Sequence, residues 1–470
     1  MSAAPQPTRA TFPDGFVFGV ATASYQIEGA VDEDGRVPSI WDAFCAQPGA
    51  ILGGDTGAVA CDHYHRTGED IALMRELGVD AYRLSLAWPR ILPQPGRPNP
   101  AGIAFYDRLV DDLLAAGIAP FVTLYHWDLP QSLEDAGGWP VRDTAYRFAE
   151  YAAVAAEALG DRVGHWITLN EPFVSSFVGY AAGLHAPGRV EPGNAVRAGH
   201  HQLLGHGLAV QALRAASPAA QVGVTLSLSP IEGQGGREVF ADAVRRVDGM
   251  TNRFFLDPVL RGRYPDDVIA DLADSNTADQ SHVHDGDLET ISAPIDFLGV
   301  NYYHPTVVMG GVLPGVALAS NGDGGSRPRS GMGWEIEPAG LVRLLRRLTE
   351  DYPHAGGRLP IYVTENGSAF PGDEVTDDGT GARVRDPQRT AYLMSHLQAC
   401  RQAIAAGVDL RGYFAWSLLD NFEWGWGYSQ RFGLVHVDYP TQRRTIKDSG
   451  RAYAALLGGP AGAPPADGER

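Results

Sequence analysis

Ile361-Tyr362-Val363-Thr364-Glu365-Asn366-Gly367 is a short run of apolar and β-branched residues that ends abruptly in a carboxylate, then in Asn-Gly. Runs of this length read as buried strand, and Asn-Gly reads as the turn that stops it. Glu365 therefore emerges from a core at a strand end, where a charge without partners is costly. His165-Trp166-Ile167-Thr168-Leu169-Asn170-Glu171-Pro172 has the same form. Two carboxylates at the mouths of two buried strands point to a pair acting on one bond.

Working outward, strand-like runs alternate with helix-like segments along the whole chain. Strands are expected at 17–23, 79–88, 119–127, 165–171, 222–228, 296–303, 361–366 and 410–418. Helices are expected at 68–77, 103–116, 144–159, 194–216, 238–260, 341–352, 388–406 and 446–457. The 103–116 segment is amphipathic, with Phe105, Leu109, Val110, Leu113 and Leu114 on one side and Gly117 to close it. Eight strands separated by helices, with no internal repeat and no linker, predict a single (β/α)₈ TIM barrel of the α/β class over residues 16–457. Residues 1–15 are expected to be a flexible lead-in, and the Pro/Gly/Ala-rich stretch 458–470 a disordered tail. A doubly wound open sheet is the rival, but the first strand lacks a Gly-x-Gly-x-x-Gly turn. In barrels the site lies at the C-terminal ends of the strands, where Gln26, Arg83, His126, Asn170, Glu171, Asn301, Tyr303 and Glu365 fall.

The 470 residues carry a formal net charge of −19, which argues against nucleic acid and anionic membranes as partners and favours a neutral or cationic ligand. Lys447 is the only lysine, which reads as base composition. Cys45, Cys61 and Cys400 are few and odd in number, so a reducing, cytoplasmic setting fits better than a disulfide framework, although Cys45 and Cys61 are close enough in sequence to pair. Residues 1–16 show no apolar signal region, and no run reaches bilayer-spanning length.

Glycosidic bonds suit a carboxyl pair: one protonates the leaving oxygen, the other attacks the anomeric carbon or activates water. On strands four and seven, Glu171 and Glu365 lie across the barrel mouth. A separation of about 5 Å belongs to a retaining double displacement, roughly 6.5–9.5 Å to inversion. The structural alternative is a pair of carboxylates salt-bridged to Arg83. That alternative is at least as good for one strand-end Glu, and much weaker for two in matching contexts.

These residues also carry a resemblance. Phe16 to Gly29, Thr168-Leu169-Asn170-Glu171-Pro172 and Tyr362 to Gly367 are similar to the signature, acid/base and nucleophile motifs of family 1 glycoside hydrolases, the β-glucosidase group. The resemblance covers nearly the whole chain. It implies a retaining β-glycosidase with Glu365 as nucleophile and Glu171 as acid/base; members with Gln at the latter position are myrosinases. It places Gln26, His126 and Asn170 on the hydroxyls of the −1 sugar, Asn301 and Tyr303 beside the carboxyls, and Trp416 on the sugar's apolar face. Glu423 and Trp424 would hold the O4/O6 end, and Trp334 the aglycone side. Amides and imidazoles both donate and accept, as hydroxyls require. Phospho-sugar members carry Ser where Glu423 stands, so an unphosphorylated sugar is expected. Ser227 departs from the Asn often found after strand five, which affects aglycone affinity.

No cofactor and no metal are expected. His63-Tyr64-His65 has metal-ligand spacing but lies ahead of the first helix, not at a strand end. Gly53-Gly54-Asp55-Thr56-Gly57 lacks the Gly-Lys-Ser/Thr of a phosphate loop. A catalytically silent sugar-binding barrel is disfavoured because both glutamates are present. Transglycosylation uses the same intermediate and stays open, as do sugar preference and oligomeric state.

Overall fold

A computed structural model describes residues 7–462 except 237, 276, 279, 309–324, 326, 354–356 and 378–381. Eight parallel strands close into a barrel in sequence order: β1 Val17–Ala21, β2 Ala81–Ser85, β3 Ala119–Tyr125, β4 His165–Asn170, β5 Gln221–Ser227, β6 Phe297–Asn301, β7 Ile361–Asn366 and β8 Leu410–Trp416. The helices that follow them are α1 His63–Leu77, α2 Pro100–Ala115, α3 Asp143–Leu159, α4 Pro192–Ala216, α5 Phe254–Arg261, α6 Pro338–Asp351, α7 Pro387–Ala405 and α8 Asp448–Leu457. This is the (β/α)₈ barrel that the strand and helix periodicities predict.

Apolar residues sort by face. Outward side chains such as Val122, Trp166, Val300, Ile361 and Tyr413 join the core between strands and helices. Ala81, Phe121, Ile167, Phe297, Tyr362 and Phe414 fill the barrel interior. Gly299 lies in that interior because a Cβ there would sit 2.2 Å from the Thr225 hydroxyl.

Several expected boundaries shift for physical reasons. α2, α4, α6 and α7 each begin on a proline, one to three residues before the expected start, because Pro is compatible with the first helical position. α1 starts at His63, not at 68, so His63 and His65 are helical. His63 pairs with Asp70 at 2.7 Å, and His65 with Asp62 at 2.7 Å and Glu33 at 3.1 Å. The second strand stops at Ser85, and Trp88–Ile91 is a helical turn. The 238–260 segment divides into Ala241–Asp248, a π turn at Gly249–Arg253 and α5. Val435–Asp438 and Arg443–Ile446 form an antiparallel hairpin that periodicity does not announce.

The segments outside the barrel are pinned where they are described. Phe12 packs on Phe16 and Phe18 at centroid distances of 4.7 and 5.0 Å, and Arg9 pairs with Asp80 at 2.5 Å. Gly459 abuts the Leu77 carbonyl, and Pro460–Gly462 adds one helical turn. Residues 463–470 lie outside the described residues. Cys45 and Cys61 are not paired; all three thiols are free and buried, Cys61 donating to the Asp420 carbonyl at 3.0 Å.

Candidate active site

The two glutamates reach the barrel mouth through irregularities in their strands. Between its pairings Val300↔Val363 and Asn301↔Glu365, β7 carries one residue more than β6, and it carries one more than β8 over the same stretch. Thr364 and Glu365 therefore both face inward, where strict alternation would send Glu365 outward. On β4, the pairings Ile167↔Gly223 and Asn170↔Thr225 again leave one residue extra. Thr168 and Leu169 both face the helices, Thr168 meeting His206 of α4 at 2.6 Å, which turns Asn170 inward. Glu171 takes a left-handed φ of 50°, and a π turn at Val174–Val178 follows. Left-handed backbone at a non-glycine costs about 1–3 kcal/mol and is concentrated at functional sites. Trp127 and Trp424, both beside the site, share it.

Glu365 is 3% exposed and fully engaged. The Arg83 guanidinium donates to Oε1 at 2.5 Å, and the Tyr303 phenol donates to Oε2 at 2.6 Å. Charge-assisted bonds of this kind are shorter and stronger than neutral ones. Burial, and then the Glu365 charge, hold the Tyr303 phenol well above its ordinary pKa, so it stays a donor.

Glu171 has a different setting. Its Oε1 accepts from the neutral Asn301 amide at 2.7 Å. Burial, followed by the Glu365 charge, raises its pKa to about 8, and Asn301, Arg83 and Ser227 offset this only in part. At neutral pH it therefore carries its proton. Asn301 is the register partner of Glu365, and its amide also touches Asn170 at 3.0 Å, so it ties Glu171 to Asn170.

The hydrogen-bond pattern assigns the tautomers of the sugar-facing residues. Asn170 Oδ1 accepts from Arg83 at 2.7 Å and from Asn301, so its Nδ2 is the atom that meets His126 Nε2 at 3.1 Å. His126 must then carry its proton on Nδ1, because burial and Arg83 keep its pKa well below normal and the ring neutral. Gln26 Nε2 donates to Asn421 Oδ1 at 3.0 Å and to the Phe422 carbonyl at 2.8 Å, leaving Oε1 as an acceptor. Gln26 Oε1, His126 Nδ1 and Glu423 Oε2 are buried polar atoms without a hydrogen-bond partner among the described residues. They gather around two indoles: the His126 ring stacks 5.9 Å from Trp416 and 6.0 Å from Trp424. A free acceptor on Gln26, a free donor on His126 and the Glu423 carboxyl beside flat apolar faces match a pyranose, with hydroxyls at its rim and CH groups on its face. Burial, then the charges of Glu365 and Glu171, push Glu423 up to about 8.

Trp334 stands apart from this group. Its ring lies 5.3 Å from Tyr303 and 6.1 Å from Phe432. Most of the Gly-rich loop at 310–333, expected to shape the aglycone side, lies outside the described residues. Ser227 ends β5 as the register partner of Asn301.

Three contributors were not among the expected site residues, and a fourth, Arg83, takes a larger part than expected. Arg83 stood in the sequence only as a strand-end polar residue and a possible structural ion-pair partner; it makes that ion pair, with Glu365, inside the site. The signal was an Arg between Ala81 and Ser85 on the inward period of a strand. Trp127 donates to the Asn170 carbonyl at 2.8 Å, Asn421 holds Gln26, and Trp41 backs Trp424 at 4.4 Å. Nothing local in the sequence marks these three.

A family model described as glycosyl hydrolase family 1 matches residues 8–459. A thermostable beta-glucosidase B of Thermobispora bispora is 52% identical over 452 residues, covering 95% of this chain and 90% of that protein. A bifunctional beta-D-glucosidase/beta-D-fucosidase of Bifidobacterium breve is 50% identical over 464 residues, covering 95% and 98%. Among solved structures, a psychrophilic beta-glucosidase from Micrococcus antarcticus superposes with a TM-score of 0.89 at 49% identity, covering 96% of this chain and 98% of that one.

Proposed function

Because the chain belongs to glycosyl hydrolase family 1, we propose that Glu365 is the nucleophile and Glu171 the acid/base of its β-glucosidase reaction. The enzyme is a retaining β-glycosidase acting on terminal glucosyl residues. The observation that carries the assignment of roles is the contrast between the carboxyls: Glu365 is bound by a cation and a phenol, Glu171 by a neutral amide under a raised pKa. Two carboxyls in surroundings this different can divide the roles of nucleophile and proton donor.

In the first step, Glu365 Oε attacks the anomeric carbon as the C–O bond to the leaving group breaks, and the Glu171 proton passes to the departing oxygen. The ester that forms removes the Glu365 charge. That charge is the second cause of Glu171's raised pKa, so its loss favours the ionised form of Glu171, the form that can act as base in the second step. There Glu171 takes a proton from water, the water oxygen bonds to the anomeric carbon, and Glu365 leaves as a carboxylate. Gln26 Oε1 and His126 Nδ1 would take sugar hydroxyls, Asn170 the 2-hydroxyl, and Trp416 the ring face. Glu423 and Trp424 would hold the O4/O6 end and Trp334 the aglycone. With Glu423 protonated near neutral pH, it donates to a hydroxyl, while the neighbouring carboxylate disfavours a phosphate dianion.

The Bifidobacterium relative's dual name supports fucosyl as well as glucosyl substrates. A cytoplasmic location is supported by the three unpaired thiols; among the described residues, no helix is long and apolar enough to cross a membrane. The assignment is tested by proton NMR of the first-formed sugar from an aryl β-glucoside, together with Glu365→Ala. The β-anomer and a loss of more than about 10⁴-fold in kcat are expected; an α-anomer first, or substantial turnover in the variant, overturns the roles.

A further inference from the structure

Lys447 is the only lysine among the chain's 37 basic Lys and Arg residues, and it is wholly buried. Its Nζ bridges Asp373 at 2.5 Å and Asp420 at 2.7 Å. Asp373 follows β7 and is also held by Arg389 at 2.7 Å, which meets Asp386 at 2.6 Å. Asp420 follows β8 and is also held by Arg431 at 2.8 Å. Three carboxylates thus face three cations in a neutral cluster, in which the ammonium bonds directly to a carboxylate of each loop leaving β7 and β8, and Arg389 adds a second tie by donating to the Arg431 carbonyl at 2.7 Å. A compact point charge fits between two carboxylates where a planar guanidinium does not.

Both loops lead into the sugar site within a few residues. Asp420 Oδ1 accepts from the Gly433 amide at 2.9 Å, beside Phe432. The adjacent Asn421 is anchored on the Ser417 hydroxyl at 3.0 Å and holds the Gln26 amide at 3.0 Å. Glu423 and Trp424 come next in the chain. On the other arm, the Ala369 carbonyl before Asp373 accepts from Gly331 at 2.7 Å, at the base of the turn that carries Trp334.

We propose that Lys447 is a positioning residue for sugar specificity: by tying Asp420 to Asp373, it fixes the Asn421–Gln26 pair and the Glu423–Trp424 turn that read the O4/O6 end of the sugar. The part concerning Glu423 rests on the reading of that end given above. The test compares 4-nitrophenyl β-glucoside with β-fucoside, whose sugars differ at C4 and C6, using Lys447→Met, Lys447→Arg and Glu423→Gln, with unfolding followed alongside. Lys447→Met is expected to lower kcat/KM for the glucoside about tenfold more than for the fucoside, chiefly through KM. Lys447→Arg keeps the charge but not the geometry, and is expected to shift the ratio in the same direction by a smaller factor. It serves as the deciding variant if Lys447→Met does not fold.

An unchanged ratio in Lys447→Arg, or in a folded Lys447→Met, overturns the inference even if both rates fall together, since a merely structural lysine would depress both substrates equally. If the Lys447 variants shift the ratio and Glu423→Gln does not, the inference stands through Gln26 and the role of Glu423 fails. If only Glu423→Gln shifts it, Lys447 has no positioning role.

Discussion

Glu365 is gripped by a guanidinium and a phenol, whereas Glu171 rests on an amide and keeps its proton to about pH 8. The alkaline limb of kcat/KM should therefore break near pH 8. In Glu171→Ala, assayed on an aryl glucoside with a good leaving group, that limb should disappear, and azide should restore turnover as a β-glycosyl azide. A limb that persists in the variant assigns it to another group. Tyr303 contributes one charge-assisted bond, of a kind worth about 1.5–3 kcal/mol. Tyr303→Phe should lower kcat/KM by roughly 10- to 100-fold at 1.4 kcal/mol per tenfold, with the fold intact; a loss below twofold would show that Arg83 alone sets the nucleophile. In the sequence, a catalytic pair and an Arg83-bridged structural pair are alternatives. Arg83 binds the very carboxylate proposed as nucleophile, so the ion pair is part of the chemistry.

At the scale of strands and helices, legibility depended on whether the signal was local. The eight strands and most helices were readable because inward and outward positions repeat at two and 3.6 residues. The proline starts of α2, α4, α6 and α7 were missed by one to three residues, since Pro reads as a breaker unless its place at the first helical position is weighed. The extra residues in β4 and β7 were not legible at all, because a bulge is defined by both strands of a pair. Motif resemblance placed Glu365 at the site without that geometry; alternation from Tyr362 would have turned it away. Asn366, just past the bulge, fixes it from outside. Its amide donates to the Tyr302 carbonyl at 2.6 Å and lies 3.0 Å from the Tyr392 hydroxyl, and its Oδ1 accepts from Tyr413 at 2.8 Å. Asn366→Ala should lose about 2–4 kcal/mol in urea unfolding and depress kcat with little change in KM. Unaltered kcat would show that β7 holds Glu365 without this anchor.

Over the whole molecule, the titrations of buried groups oppose one another in a way that sets a pH of maximum stability. Among the described residues nine imidazoles have depressed pKa values, chiefly through burial: His126, His165, His185, His200, His201, His206, His304, His396 and His436. For each, the unfolded chain binds the proton first, so its contribution is present above about pH 6.5 and is lost as pH falls through the folded value, about 4 for five of them. Five carboxyls are raised by burial, namely Asp128, Glu134, Glu171, Asp386 and Glu423, with Asp128 at about 7 and both Glu171 and Glu423 at about 8. For these the folded state keeps the proton longer, so stability falls as pH rises from about 4 toward those values. Below pH 6.5 the nine imidazoles outweigh the five carboxyls and stability climbs with pH; above it the carboxyls, joined by His65, whose pKa its bond to Asp62 raises, carry stability down toward pH 8. Urea midpoints should therefore peak near pH 6.5. Glu423→Gln removes one titrating group from the alkaline side, so its stability relative to the parent should rise steadily between pH 5 and 8. A difference that stays flat across that range would mean that Glu423 does not keep its proton in the folded enzyme, and that it meets the sugar as a carboxylate acceptor.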